Sequence, residues 1–225
     1  VHPSGDVYVA RGNEVVRYLF PGDTVDPTVF ATGSKVQDVC VDWSTGDVWC
    51  SFGTLTSATE IRQYDEFGAL QQTITDAAII HPRSIAISRD GTLLLVANSS
   101  AQNVLAIDLT VTPPVISTYA TTSGLNPIDI TLDREGVAFI TGAYGLIQEI
   151  LELTPDGMGG VTQSLFLDFS SLTDFNAPAG IYADKVGNVF IANRSANGGI
   201  SGVYPVSTSD MTLFPAAIGS EHINS

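Results

Sequence analysis

The chain has 225 residues, 44% hydrophobic and only 15% charged, a profile that excludes a disordered or fibrous protein. Acids outnumber bases 24 to 9, for a net charge of −15, so there is no basic footprint to release counterions from nucleic acid or an anionic membrane. No apolar run approaches the ~20 residues that span a bilayer, and no membrane span is expected.

A single domain over residues 1–225 is expected. At this length it buries roughly 70–75% of the unfolded chain's surface, so no metal or disulfide staple is required. The sequence opens without Met and without a signal peptide, which reads as a mature or trimmed form.

In chain order, the first apolar run is Val7-Tyr8-Val9, just after Gly5, followed by Val15 to Tyr18. A longer pattern begins at Gln37 and reaches a glycine at Gly46, then runs into Val48-Trp49-Cys50 and Ile61 to Tyr64. It returns as Pro82 to Gly91 with Leu93 to Val96, Val104 to Ile107 and Ile116 to Tyr119. It returns again as Pro127 to Gly136 with Val137 to Ile140 and Ile150 to Leu153. The last full copy is Pro178 to Gly187 with Val189 to Ile191, Ile200 to Val203 and Met211 to Phe214. Short β-branched and aromatic runs hinged on glycine predict hairpins of buried strands. The third run in each copy has apolar residues three apart, as a helix turn would, but its shortness and flanking Gly, Pro and Asp favour a strand.

Four antiparallel strands every ~40–50 residues predict an all-β β-propeller. The hinge glycines at 5, 46, 91, 136 and 187 give five blades, and the interval from Gly187 round to Gly5 is one more blade length. The expectation is therefore that Glu221 to Ser225 pairs as the innermost strand of the first blade and closes the ring. A six-bladed ring with one blade missing is the alternative.

Tyr8, Trp49, Phe139 and Phe190 all fall three residues after a hinge glycine, and a shared phase predicts shared packing between blades. Trp43, Tyr144 and Phe175 lie off that phase and are candidates for exposed contacts. Cys40 and Cys50 flank the hinge symmetrically about residue 45, which would make them opposite neighbours in the hairpin. That reading leaves open a disulfide, fitting an oxidising extracellular or periplasmic compartment, or two reduced core thiols.

The copy Pro178-x-Gly-Ile-x-x-Asp-x-x-Gly-Asn-Val-Phe-Ile-Ala-Asn193 resembles an NHL repeat. Pro82-Arg-Ser-Ile-Ala-Ile-Ser-Arg-Asp-Gly91 with Leu95-Val-Ala-Asn98 resembles the YVTN and SMP-30/gluconolactonase propellers. The resemblance covers all five repeats but marks the blade, and blades of this kind serve binding modules, lactonases and lyases alike.

It also implies a site. In such propellers the loops entering the innermost strands meet at the channel mouth with those joining the second and third strands. The candidates there are Asp38, His81, Arg83, Asn126, Asp129, Arg194, Glu221 and His222, with Arg11, Asn13, Asn98 and Asn193 beside them. Asp38, Asp129 and Glu221 come from three blades and could converge on a hard cation such as calcium. The plainer alternative is that they accept hydrogen bonds within loops. The lactonase pattern sets an Asn beside a Gly right after the Pro, where this chain has Arg83-Ser84 and Ile128-Asp129. His2 is expected to sit exposed in a hairpin turn; three scattered histidines are too few to define a zinc or acid–base site, and a channel-facing pair of His81 and His222 is the minor alternative. No nucleophile-elbow serine, P-loop or dinucleotide fingerprint occurs.

The sequence thus favours a non-catalytic, extracytoplasmic binding or assembly propeller that presents a loop face to a protein or surface partner. No cofactor is expected, calcium being the one open option. A channel-mouth metal hydrolase or lyase is the second reading and a carbohydrate-binding propeller the third. Arg83 is expected to pair with Asp38 or Asp129 in place of a metal.

Overall fold

The structure is a computed structural model that describes residues 1–20, 24–25, 29–122, 124–144, 147–168, 178–184, 187–193 and 202–206. They are organised in two compact units, Val1–Tyr119 and Ala120–Ser225.

The first unit begins with strands β1 (Val7–Arg11), β2 (Glu14–Leu19), β3 (Thr24–Val25) and β4 (Ala31–Thr32). β1 and β2 form a hairpin, while β3 and β4 pair with opposite ends of β2, so the outer strand of this blade is interrupted. The second blade is β5 (Val36–Val41), β6 (Val48–Phe52), β7 (Glu60–Tyr64) and β8 (Leu70–Ile74), each paired with the next. The third is β9 (Pro82–Ile87), β10 (Leu93–Asn98), β11 (Asn103–Asp108) and β12 (Val115–Thr121), likewise a meander. A single 3-10 turn, Ser99–Ala101, is the one helical element among the described residues.

The second unit holds β13 (Asn126–Leu132), β14 (Ala138–Tyr144), β15 (Ile147–Pro155) and β16 (Val161–Asp168) in one blade. Strands β17 (Pro178–Ala183), β18 (Val189–Asn193) and β19 (Gly202–Val206) belong to the other. Every pairing is antiparallel, and the fold class is an all-β, five-bladed β-propeller. The expected outer strand at Met211–Phe214 and the closing strand at Glu221–Ser225 lie outside the described residues.

Strand periodicity explains the cores. Successive side chains leave a strand on opposite faces, so each inner strand feeds two neighbours. On β6, Val48, Cys50 and Phe52 turn towards the first blade and pack with Tyr8, Val15 and Ala31. Trp49 turns the other way, against Ile85, Leu94 and Ile107 of the third blade. In the second unit Phe139, Ile150 and Phe166 pack in the same manner on Ile181, Val189 and Ile191. Tyr8, Trp49 and Phe139 are buried as their shared phase requires, and Phe190 is half-buried beside Tyr182.

Three expectations are corrected. Cys40 and Cys50 are not opposite neighbours, since β5 pairs Cys40 with Trp49 and Val39 with Cys50; both are free thiols, the alternative left open beside a disulfide. The hairpin centre lies half a residue from residue 45, and the resulting offset of one in register puts the two thiols on opposite faces, in different cores. Burial pushes both thiols up from the usual cysteine range.

The third strand of the last blade is β19, which runs past the expected end at Val203 to Val206, with Tyr204 and Val206 buried; Ile200 lies outside the described residues. His2 is also buried, at 6% exposure. Its Nδ1 lies 2.7 Å from the Ser4 hydroxyl and its Nε2 3.1 Å from the Gly46 carbonyl oxygen in the next blade.

Candidate functional site

The opening strands of the second to fifth blades, β5, β9, β13 and β17, each carry a β-bulge at the same place, near the start. The extra residue is Gln37 on β5, Arg83 on β9, Ile128 on β13 and Ala179 on β17. A proline stands immediately before the bulged residue in three of these strands, Pro82, Pro127 and Pro178, and its missing N–H suits a point where the ladder is interrupted. A bulge bends the strand and re-aims its side chains. The residues just after it are Asp38, Ser84, Asp129 and Gly180.

These two aspartates reach across to the following blade. Asp38 Oδ2 accepts from the Ser84 hydroxyl at 2.7 Å and the Ile85 N–H at 2.9 Å, while Oδ1 accepts from the Val39 N–H at 2.8 Å. Asp129 Oδ2 accepts from the Ile181 N–H at 2.7 Å, and Oδ1 from the Ile130 N–H at 2.9 Å. Two residues on, Thr131 Oγ1 accepts from the Ala183 N–H at 3.2 Å. Each carboxylate therefore fastens one blade to the next, and charge-assisted bonds of this kind are roughly twice as strong as neutral ones.

Two further buried hydroxyls mark the same level. Ser51 stands opposite Asp38 in the ladder and Thr141 opposite Asp129. Both are fully buried, and neither hydroxyl finds a protein partner.

The acid excess has the same explanation elsewhere. Asp42, Asp65, Asp76, Asp108, Asp133, Asp156 and Asp184 each accept backbone N–H groups a few residues ahead, closing turns. Hydroxyl bonds from Thr110, and from Ser88 and Thr92, hold Asp108 and Asp90 below the usual carboxylate range. Asp133 is raised by burial, although it accepts from Glu135 and Val137. Among the described residues no three His, Cys, Asp or Glu side chains gather as an ion would require.

His81 precedes β9 in the left-handed region, φ +61°. Its carbonyl accepts from the Ser99 N–H, and its Nδ1 lies 3.3 Å from the Ser100 hydroxyl. Partial burial, then the cations Arg83 and Lys35, hold it below the usual histidine range. Arg83 is exposed and makes no ion pair among the described residues, contrary to the expected pairing with Asp38 or Asp129. The amides and Ser84 occupy the carboxylate oxygens that a guanidinium would have used.

Asn98 is structural: wholly buried, it accepts from the Ile80 N–H and donates to the Ala78 carbonyl and Asn103 Oδ1. Asn193, its repeat counterpart, is buried too, while Asn126 opens β13 half-buried. Trp43 is exposed at 61%. Arg194, Glu221, His222 and Phe175 lie outside the described residues, as does the side chain of Tyr144. Sequence reasoning missed Lys35, Ser84 and Ser51. Ser84 was legible in principle, standing one residue before the repeat isoleucine as Asp129 does.

No protein-family model matches the chain, and no curated protein does. Solved structures do. The chain is similar to one from a nidogen/laminin complex, with TM-score 0.73 and 14% identity over 91% of this chain and 74% of that one. A chain of Kuenenia stuttgartiensis hydrazine synthase matches with TM-score 0.60 and 13% identity, over 80% of this chain and 48% of that one. A protein provisionally named a gluconolactonase matches with TM-score 0.61 and 16% identity, over 86% and 69%. These identities support the β-propeller fold and leave function to the site.

Proposed function

We propose that this chain is a non-catalytic binding or assembly propeller that presents the loops at the start of its first strands to a partner. The observation that carries the reading is the commitment of Asp38 and Asp129. The carboxylates an enzyme would direct at a metal or substrate accept N–H groups from the following blade instead. The exposed groups at that end, Arg83 and Lys35, are cations without a reacting partner. The similarity to a chain of a nidogen/laminin complex is compatible with a binding role. With 24 acids, a protein or surface ligand suits the chain better than nucleic acid. The extracellular or periplasmic address expected from a disulfide does not follow from two free thiols, and the binding reading does not depend on it.

The test is calorimetric titration of metal-stripped protein with calcium and zinc, alongside lactone and ester turnover, for the parent and Asp129→Ala. The expected result is no turnover, with Asp129→Ala lowering stability. Micromolar metal binding abolished by Asp129→Ala, together with lactone hydrolysis, would replace this reading with the enzyme.

A further inference from the structure

We propose that Lys35, His81 and Arg83 form a binding site for an oxyanion, the shared chemistry of carboxylate, sulfate and phosphate groups. The proposal rests on the binding-module reading and names the ligand chemistry of its loop end.

Placement comes first. β5 and β9 run side by side, and the Asp38 bonds to Ser84 and Ile85 fix their offset. Three residues upstream on both strands, Lys35 comes level with His81 and Pro82. The bulge at Arg83 turns its side chain out of the ladder into solvent. Two neighbouring blades thus bring three basic groups to one end of one junction.

Charge sharpens the point. The chain carries 24 acids and 9 bases, so a surface arginine or lysine has ample carboxylates to pair with. Arg11, Arg17 and Arg62 do so, with Glu14, Asp6 and Glu60. Lys35 and Arg83, like Arg89 and Arg134, form no such pair among the described residues; what sets the first two apart is that both act on His81. Among the described residues, both charged groups that act on His81 are cations. The elements packed on β9 add little: β5 brings Asp38, engaged with Ser84 and Ile85, and Cys40; β6 brings Cys50; β10 brings no titratable group.

The site is also held in shape. His81 is fixed by the Ser99 N–H at its carbonyl and by Ser100 at Nδ1, which leaves Nε2 open. A planar guanidinium, an ammonium and an imidazole brought to one end of the junction suit an oxyanion. Its negative charge would relieve the repulsion between the two cations and favour protonation of His81.

The experiment follows the His81 ring by NMR, assigned through His81→Gln, during titration with sodium sulfate, phosphate or acetate. Sodium chloride keeps ionic strength constant, and buried His2 is the internal control. The expected result is a saturable shift confined to His81 and a rise in its pKa of about one unit. Arg83→Gln should weaken the sulfate response about tenfold, and Lys35→Gln less. Preference for sulfate and phosphate over acetate would mark a polyanionic ligand, and the reverse a carboxylate-bearing one. A His81 response that chloride reproduces, or that survives Arg83→Gln unchanged, would overturn the site. Neither result bears on metal binding or lactone turnover, so failure here is separable from failure of the binding-module reading.

Discussion

Two junctions of this molecule use one device with different partners. Between the second and third blades, Asp38 accepts from the Ile85 N–H and from the Ser84 hydroxyl. Between the fourth and fifth, Asp129 accepts from the Ile181 N–H, while Gly180 stands where Ser84 would. The bulged residues differ as well: Arg83 in the first case, Ala179 in the second. The shared part is architecture, a carboxylate turned across to the next strand. What varies around it, a serine or a glycine on the facing strand, a cation or a methyl group at the bulge, is where one junction can acquire a ligand and the other remain scaffold.

The largest effect should come from removing the carboxylates. Asp38→Ala and Asp129→Ala each orphan amides of two strands, and a loss of about 3 kcal/mol in urea unfolding is expected. Asp38→Ala should lose more, because it also removes the acceptor of the Ser84 hydroxyl. Equal losses would mean that the hydroxyl contributes nothing.

Exchanging the partner sharpens the comparison. A Cβ at Gly180 would sit 3.5 Å from Asp129 Oδ2 and 3.4 Å from the Ala192 Cβ, both ordinary contacts. Gly180→Ser should stabilise the protein by about 1 kcal/mol, from the new bond and a less flexible unfolded chain. Ser84→Gly should cost about as much. If Gly180→Ser destabilises, the two junctions are not interchangeable.

A smaller effect is expected opposite the aspartates. Ser51→Ala and Thr141→Val replace buried hydroxyls that lack a protein partner, and each should be neutral or stabilising by up to ~1 kcal/mol. A loss above that, read by thermal unfolding, would show that the hydroxyl is bonded in solution.

The thiols give the smallest change. The native mass should be unaffected by reductant, with Cys40 and Cys50 alkylating only on unfolding. A two-proton difference on reduction would restore the disulfide.

What could be read beforehand divides along physical lines. Blade number and the buried phase of Tyr8, Trp49 and Phe139 were legible, because repetition averages over local ambiguity. The cysteine register was not. It turned on a one-residue offset in the pairing of β5 with β6, which the residue types around Gly46 do not encode. The role of Asp38 and Asp129 was hidden for another reason. A carboxylate that accepts amides and one that binds a cation use the same oxygens, and residue type cannot separate them. His2 was misjudged because its partner, the Gly46 carbonyl, lies in another repeat.

The turn aspartates carry a consequence for the molecule's charge. Asp65, Asp108 and Asp156 act through a side-chain oxygen that accepts N–H groups. An asparagine offers the same oxygen without the charge. The acidity is therefore a by-product of how the turns are made, and it can be titrated by sequence. A series of Asp→Asn changes at these positions would raise the isoelectric point from 4.2 while preserving the turns. Solubility, long-range steering and resistance to self-association could then be adjusted independently of the blades.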